Sequence, residues 1–333
     1  IVIGVTGTSG KSTTVDFITR ILEENGDKVA SISSVRFKIG QKEWKNELKM
    51  TTPGRFKIQK FLRQALVAGC KYVVLEVASE GVKQHRHRFI NFDMAVFTNL
   101  TPEHIEAHGG FEKYRNEKLK FFKAVKNVHV VNVEDEHAKY FLDIPAEKII
   151  TFGLEKGDVN EATDKVNLNI LGNFNRYNAL AAIAVAKHYD ISFEICKKAL
   201  EKATGIPGRM EVVNKNPLVV VDYAHTPAQL ELVYQSLAPK NLVCVLGSCG
   251  GGRDKWKRPV LGKIAKDYCK EIIITNEDPY DEDPLEIMEQ IAAGIGDDRA
   301  FSIVLDRKEA IQKAVSLAKP EDAVIITGKG SEV

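Results

Sequence analysis

Short apolar runs recur along the chain, each followed by a turn and then by a stretch with helical spacing. Ile1 to Val5, Tyr72 to Leu75, Met94 to Thr98 and Val128 to Val133 read as buried strands. Between them, Ser12 to Asn25 puts Phe17, Ile18, Ile21 and Leu22 on one helical face and stops at Asn25-Gly26. Helices are also predicted over Phe56 to Ala68, ending at Gly69, and over Phe111 to Ala124. Strands alternating with helices over short connections predict a parallel sheet covered on both faces. Two more helices, Asn173 to His188 and Ser192 to Ala203, lead into Thr204-Gly-Ile-Pro-Gly208, whose glycines and proline mark a domain boundary. Beyond it a second α/β set begins, with strands near Leu218 to Val221, Leu242 to Leu246, Ile272 to Thr275, Phe301 to Leu305 and Ala323 to Thr327. The expected organisation is two α/β domains, 1–206 and 207–333, with no internal repeat or low-complexity segment.

The first strand runs into Gly4-Val-Thr-Gly-Thr-Ser-Gly-Lys-Ser-Thr-Thr14 and a helix. That order is what a phosphate-binding loop requires. Amides of the turn (Gly7, Thr8, Ser9, Gly10) and of the first helical residues converge on phosphate oxygens, Lys11 brings a point charge to the outer phosphates, and Ser12 or Thr13 can hold Mg²⁺. The usual pattern has Gly where Val5 stands, with Gly4 and Gly7 on either side. The chain is expected to bind a nucleoside triphosphate. In an open parallel sheet the ligand lies beyond the C-terminal strand ends, and Lys11, Glu76 and Asn99 all follow predicted strands, so they should share that rim.

At 333 residues two cores are the default, and 44% hydrophobic with 28% charged residues is ordinary for a globular protein. A formal net charge of +2 argues against nucleic acid or an anionic membrane as partner. Cys70, Cys196, Cys244, Cys249 and Cys269 form no C-x-x-C pair and read as small buried hydrophobes in a reducing compartment, not as a disulfide or zinc framework. With no segment apolar enough to span a membrane, a cytoplasmic location is expected.

Further segments carry polar residues in patterns that packing does not need. They are Thr51-Thr52-Pro53-Gly54, Glu76-Val77-Ala78-Ser79-Glu80-Gly81, Gln84-His85-Arg86, Thr98-Asn99-Leu100-Thr101-Pro102-Glu103-His104, Tyr114-x-x-x-Lys118 and Gly172-Asn173-Phe174-Asn175-x-x-Asn178. Later come Gly208-Arg209-Met210-Glu211, Asp222-Tyr223-Ala224-His225-Thr226-Pro227, Gly250-Gly251-Gly252-Arg253-Asp254, Lys257-Arg258-Pro259 and Gly328-Lys329-Gly330. In order and spacing, from Gly4 to Glu332, the chain resembles the Mur ligase family, ATP-dependent amide-forming enzymes of peptidoglycan assembly. Within it the likeness is strongest to the branch that adds the third amino acid to UDP-MurNAc-L-Ala-D-Glu. Family members also carry an N-terminal uridine-nucleotide domain and continue past the final glycine motif, so this chain is expected to be a fragment or a short relative.

The resemblance implies a P-loop central domain, a Rossmann-like C-terminal domain that binds the amino acid, and a monomer using ATP and Mg²⁺. It implies that Lys11, Glu76, His104 and Lys118 are catalytic, with Ser12, Glu76, His104 and Lys118, the last as a carbamate, at the metals. ATP contacts are implied for Gly7 to Thr13, Asn99, Asn175, Asn178, Arg209, Asp222, Tyr223 and His225, with the asparagines at adenine, Asp222 at the ribose and closure of two domains on the nucleotide. The carboxylate donor would meet Thr51, Thr52, Ser79, Gln84 and Arg86, and the amino acid Arg253, Asp278, Tyr280, Gly328 and Glu332.

Two departures bear on substrates. Ala78-Ser79-Glu80 replaces the Ser-Ser-His usual after the metal-binding Glu. Relatives that use meso-diaminopimelate carry Asp-Asn-Pro-Arg where Glu277-Asp278-Pro279-Tyr280 stands, and Ser331 replaces a His. With the Arg gone and Asp278 added, a cationic amino acid, lysine or ornithine, is expected. The alternatives are another Mur-type ligase acting on pseudomurein peptides, polyglutamate or a cyanophycin-like polymer, or a nucleotide-binding scaffold without turnover.

Overall fold

The computed structural model describes residues 1–48, 50–238 and 240–330. They form two compact units: residues 1–102 with 111–204, and residues 103–110 with 205–330.

The first unit is built on an eight-stranded sheet. Its strands are β1 (Val2–Thr6), β2 (Val29–Ile32), β3 (Arg36–Ile39), β4 (Lys42–Lys45), β5 (Tyr72–Glu76), β6 (Met94–Phe97), β7 (Val128–Asn132) and β8 (Lys148–Phe152), in the spatial order β4-β3-β2-β5-β1-β6-β7-β8. From β2 to β8 all pairings are parallel. Alternate residues face opposite sides. Ile3, Val5, Val74, Val96 and Val130 join the core under the helices Lys11–Glu24 and Phe174–His188, while Val73, Leu75, Ala95, Phe97 and Val131 join the core under Arg55–Val67 and Phe111–Ala124. Burial on both faces explains why these strands read as unbroken apolar runs; each buried large side chain contributes roughly 1.5–3 kcal/mol.

The expected purely parallel sheet is corrected at one edge, where β2, β3 and β4 pair antiparallel. Arg36–Ile39 and Lys42–Lys45 are short and rich in lysine, arginine and glutamate, as edge strands often are, so hydropathy does not reveal them.

The second unit carries a six-stranded sheet of β9 (Glu211–Lys215), β10 (Leu218–Val221), β11 (Leu242–Leu246), β12 (Cys269–Thr275), β13 (Ser302–Val304) and β14 (Ala323–Ile326), ordered β13-β12-β11-β14-β10-β9. All pairs are parallel except β9 with β10. Val243, Val245, Ile273 and Val324 pack with Ala310 and Ala314 of the helix Arg307–Leu317.

The cysteine reading is also corrected. Cys244 and Cys269 are joined in a disulfide, because adjacent strands β11 and β12 bring their Cα atoms to 6.0 Å across a separation of 25 residues. Cys70 and Cys249 are partly exposed, not core. Among the described residues no helix is long and apolar enough to cross a membrane.

Candidate active site

The phosphate loop joins β1 to the helix Lys11–Glu24 at the C-terminal rim of the first sheet. Gly10 has φ +78°, and a Cβ there would stand 2.3 Å from Asn178 Oδ1, so only glycine fits. Asn99, just beyond β6, pins the loop. Its Oδ1 accepts from Ser9 N (2.9 Å) and Ser9 Oγ (3.0 Å), and its Nδ2 donates to the Ser9 carbonyl (3.1 Å). Lys11 Nζ folds back onto the Gly7 and Thr8 carbonyls at 3.1 and 2.8 Å.

Glu76, the last residue of β5, is buried, and its Oε2 accepts from Ser12 Oγ and from Ser34 N, both at 2.8 Å. Ser12 Oγ also meets Ser34 Oγ at 2.8 Å. Lys118 is 1% exposed; its Nζ donates to the Gly7 carbonyl at 2.7 Å and lies 4.6 Å from the centre of the Tyr114 ring. The four-residue spacing puts Tyr114 and Lys118 on one helical face, and Tyr114 Oη meets Thr8 Oγ1 at 3.0 Å. Lys11, Ser12, Glu76, Asn99 and Lys118 are thus brought to one rim. Thr13 is buried in the first helical turn. Asn178, expected at adenine, lies against the phosphate loop: Thr14 Oγ1 donates to its Oδ1 (3.3 Å), and its Nδ2 donates to Asn175 Oδ1 (3.0 Å).

Beside this rim, Thr52 Oγ1 donates to the Glu76 carbonyl (3.1 Å) and accepts from Ala78 N (2.9 Å). Arg86 donates to the Thr52 carbonyl and to Gln84 Oε1, while Gln84 Nε2 donates to Glu80 Oε1 at 2.7 Å. Ser79 is buried and Thr51 partly exposed. The expected donor-binding residues Thr52, Gln84 and Arg86 therefore form one hydrogen-bonded group.

His104 falls in the second unit, on the segment 103–110. It precedes the short helix Ile105–His108 with φ 54°, and its Nε2 is 3.4 Å from Glu103 Oε1. The segment is fixed by Asp254, whose carboxylate accepts from Ile105 N (3.1 Å) and Glu106 N (2.9 Å), and by Glu106, which accepts from Lys255 N at 2.8 Å. His225 uses both ring nitrogens, Nε2 toward Glu103 Oε1 (2.6 Å) and Nδ1 toward the Tyr223 carbonyl (2.9 Å).

Asp222, just past β10, accepts from Met210 N (2.8 Å) and Ala224 N (2.7 Å). Burial pushes its carboxyl up, opposed by the Arg209 charge and those two N–H groups. The Arg209 guanidinium stacks 4.3 Å from the Tyr223 ring centre.

The expected amino-acid residues lie at the C-terminal ends of β11, β12 and β14. Arg253 and Tyr280 are exposed. Asp278, expected to be an unmatched negative charge, is paired with Lys329 Nζ at 2.6 Å. Next to it Glu277 is buried; its Oε1 accepts from the Cys249 thiol at 2.8 Å and its Oε2 meets no hydrogen-bond partner among the described residues. Gly328 packs against that carboxylate, since a Cβ there would stand 2.3 Å from Oε2. Burial, then the Glu277 charge, pushes the Cys249 thiol up to about 12, so it stays a neutral donor. Glu332 lies outside the described residues.

The Glu282 carboxyl is held at about 2, below its ordinary 4.5, chiefly by its hydrogen bond to Arg258 and next by Lys255. A carboxyl depressed on folding lends its full stability above its unfolded pKa and loses it as pH falls toward the folded value. Between pH 4.5 and about 2 the melting temperature of the wild type should therefore fall more steeply than that of Glu282→Gln, read by thermal melts.

Residue pattern alone missed Ser34, Glu103, Asp254 and Lys329 as parts of these groups. Asp254 and Lys329 do sit inside glycine-flanked motifs; Ser34 carries no such signal.

A phosphate loop on a parallel sheet, with a buried carboxylate and lysine at its rim and a separate α/β unit after it, defines a nucleotide-dependent transferase or ligase. The chain belongs to the Mur ligase family: residues 5–186 match the Mur ligase middle domain and residues 208–330 the Mur ligase glutamate ligase domain. It is 36% identical to a Syntrophomonas wolfei protein named UDP-N-acetylmuramoyl-L-alanyl-D-glutamate--2,6-diaminopimelate ligase, covering 99% of this chain and 73% of that one. It is 35% identical to the UDP-N-acetylmuramyl-tripeptide synthetase of a Roseiflexus species, covering 99% and 74%. A solved UDP-N-acetylmuramoyl-L-alanyl-D-glutamate--2,6-diaminopimelate ligase superposes with a TM-score of 0.67 at 30% identity, over 99% of this chain and 73% of that one. A pseudomurein peptide ligase type C from Methanothermus fervidus superposes at 0.75 and 20% identity, over 98% and 76%, which shows the shared fold.

Proposed function

We propose that the chain is an ATP-dependent, ADP-forming amide ligase that joins the D-glutamyl carboxylate of UDP-MurNAc-L-Ala-D-Glu to a free amino acid in peptidoglycan synthesis. The observation that carries this reading is the convergence of Lys11, Ser12, Glu76 and Lys118 on the phosphate-loop rim. A carboxylate is a poor acyl donor. The γ-phosphorus therefore bonds to a carboxylate oxygen as its bond to ADP breaks, giving an acyl phosphate. The amine nitrogen then bonds to the acyl carbon, phosphate leaves, and the amine loses a proton. Such transfer depends on positioning and on neutralising charge as it develops. The loop amides hold the phosphates, and Lys11 exchanges the Gly7 and Thr8 carbonyls for the outer phosphate oxygens.

The oxygens of Ser12 and Glu76 are hard donors held together at 2.8 Å, which suits Mg²⁺. When bound, Mg²⁺ neutralises phosphate charge. His104 is assigned to it through the family motif. Lys118 is assigned a carbamate, formed when its neutral amine bonds to CO₂ and releases a proton; the nitrogen keeps one N–H for the Gly7 carbonyl. We assign adenine and ribose to Asn175, Asn178, Arg209, Asp222, Tyr223 and His225, and the donor to Thr51, Thr52, Ser79, Gln84 and Arg86. Residues 1–206 serve as the ATP-binding domain and 207–333 as the amino-acid domain, in a cytoplasmic monomer. ADP release, screened over the twenty amino acids with diaminopimelate and ornithine against UDP-MurNAc-L-Ala-D-Glu, tests the reading. A scaffold would release none.

The amino acid is assigned a cationic side chain. Tyr280 stands where relatives place an anion-gripping Arg, and Glu277 Oε2, without a hydrogen-bond partner among the described residues, can meet an ammonium. Lys329 is engaged by Asp278 and so is withheld from a second substrate carboxylate. A desolvated carboxylate without a partner costs on the order of 1–3 kcal/mol, enough for about tenfold discrimination. The kcat/KM for lysine or ornithine should exceed that for meso-diaminopimelate, and Asp278→Asn, by releasing Lys329, should narrow the gap. A wild-type preference for diaminopimelate would refute the assignment.

A further inference from the structure

Arg258, in the first turn of the helix Lys257–Tyr268, is fully buried. Its Nη1 donates to Glu282 Oε2 (3.0 Å) and Gln290 Oε1 (2.7 Å), and its Nη2 donates to the Cys249 carbonyl (3.2 Å). A buried guanidinium is tolerated only where acceptors meet its fork. Here they come from three places: the acidic loop after β12, the helix Pro284–Ala292 and the glycine loop after β11. Those two loops also touch each other through groups assigned to the amino acid. Gly250 N donates to the Asp278 carbonyl at 2.9 Å, and a Cβ at Gly250 would stand 2.2 Å from the Pro279 oxygen. The Cys249 thiol reaches Glu277, and a Cβ at Gly251 would lie 2.7 Å from the Tyr280 ring. Where Glu277, Asp278 and Tyr280 stand is therefore set by where Cys249 to Gly251 stand, and Arg258 fixes that backbone from behind.

We propose that Arg258 is a positioning residue for amino-acid selection, holding the glycine loop and the acidic loop in the one register that gives the pocket its charge pattern. This rests on the reading that these loops receive the amino acid. A planar fork with donors in fixed directions can bridge three acceptors at once; an ammonium on a flexible stem cannot, so lysine should not substitute.

The test compares wild type with Arg258→Lys and Arg258→Met, the latter an apolar side chain of similar length. The readout is the ratio of kcat/KM for the preferred amino acid to that for meso-diaminopimelate, together with the KM for ATP. The ratio does not depend on the active fraction, so partial unfolding leaves it interpretable. Both variants should bring it most of the way to unity, roughly a tenfold fall, while ATP KM stays within about twofold. Gly250→Ala, which drives the same loops apart without touching Arg258, should reproduce the loss and covers the case in which the arginine variants do not fold. An unchanged ratio in a folded Arg258 variant, or in Gly250→Ala, overturns the proposal. No amino-acid-dependent ADP release from the wild type would instead sink the functional reading itself, and the proposal with it.

Discussion

Lys118→Ala should fold and yet lose nearly all ligation, with part of the activity restored by formate or acetate. The Lys118 side chain is buried, with its Nζ donating to the Gly7 carbonyl and lying against the Tyr114 ring. A carbamate forms when a lysine amine bonds to CO₂ and loses a proton. The carbamate would offer hard oxygen ligands to the divalent ion assigned to Ser12 and Glu76. A small carboxylic acid entering the space left by the truncated side chain replaces those oxygens; an amine does not. Rescue by formate but not by methylamine, measured as ADP release, is the expected pattern. Wild-type turnover in Lys118→Arg, which keeps a cation but cannot form the carbamate, would refute it.

Lys11→Ala should reduce turnover by about 10²–10³-fold without lowering the melting temperature appreciably. Among the described residues Nζ hydrogen-bonds to the Gly7 and Thr8 carbonyls of its own loop. In the proposed reaction a preorganised cation at the outer phosphate would stabilise charge that develops only in transfer. The loss should therefore fall on kcat more than on the KM for ATP. A folded Lys11→Ala protein with near-normal kcat would remove the phosphate-loop rim as the centre of the reaction.

Much of this arrangement was legible in the residues. Long apolar runs announce themselves, so β1, β5, β6 and β7 fall within a residue or two of their expected positions, and Phe111–Ala124 does so at both ends, whereas β2, interrupted by Ser31, and β8, with Lys148 and Ile149 exposed, were not expected. The rim followed, because a parallel sheet fixes which strand ends meet. Edge strands β3, β4 and β9 were invisible, since a strand with a solvated face and charged side chains has no hydropathic signature. Pairings across long separations were invisible for another reason. Cys244 with Cys269 depends on β11 and β12 becoming neighbours, while Lys329 with Asp278 and Asp254 with Ile105 depend on loops that meet from distant parts of the chain, and no local spacing encodes either.

The segment 103–110 groups with the second unit although the chain on either side of it belongs to the first. The polypeptide therefore passes between the units three times, after Pro102, after Gly110 and after Thr204. A protease nick in the glycine-proline stretch at 204–208 severs the covalent link to the C-terminal part of the second unit, and the products are then held together by the non-covalent contacts of 103–110 within that unit. Any attempt to express the halves separately must excise or loop out 103–110, or the first half will carry a peptide whose hydrogen-bonding partners at Asp254, Lys255 and His225 have been left behind.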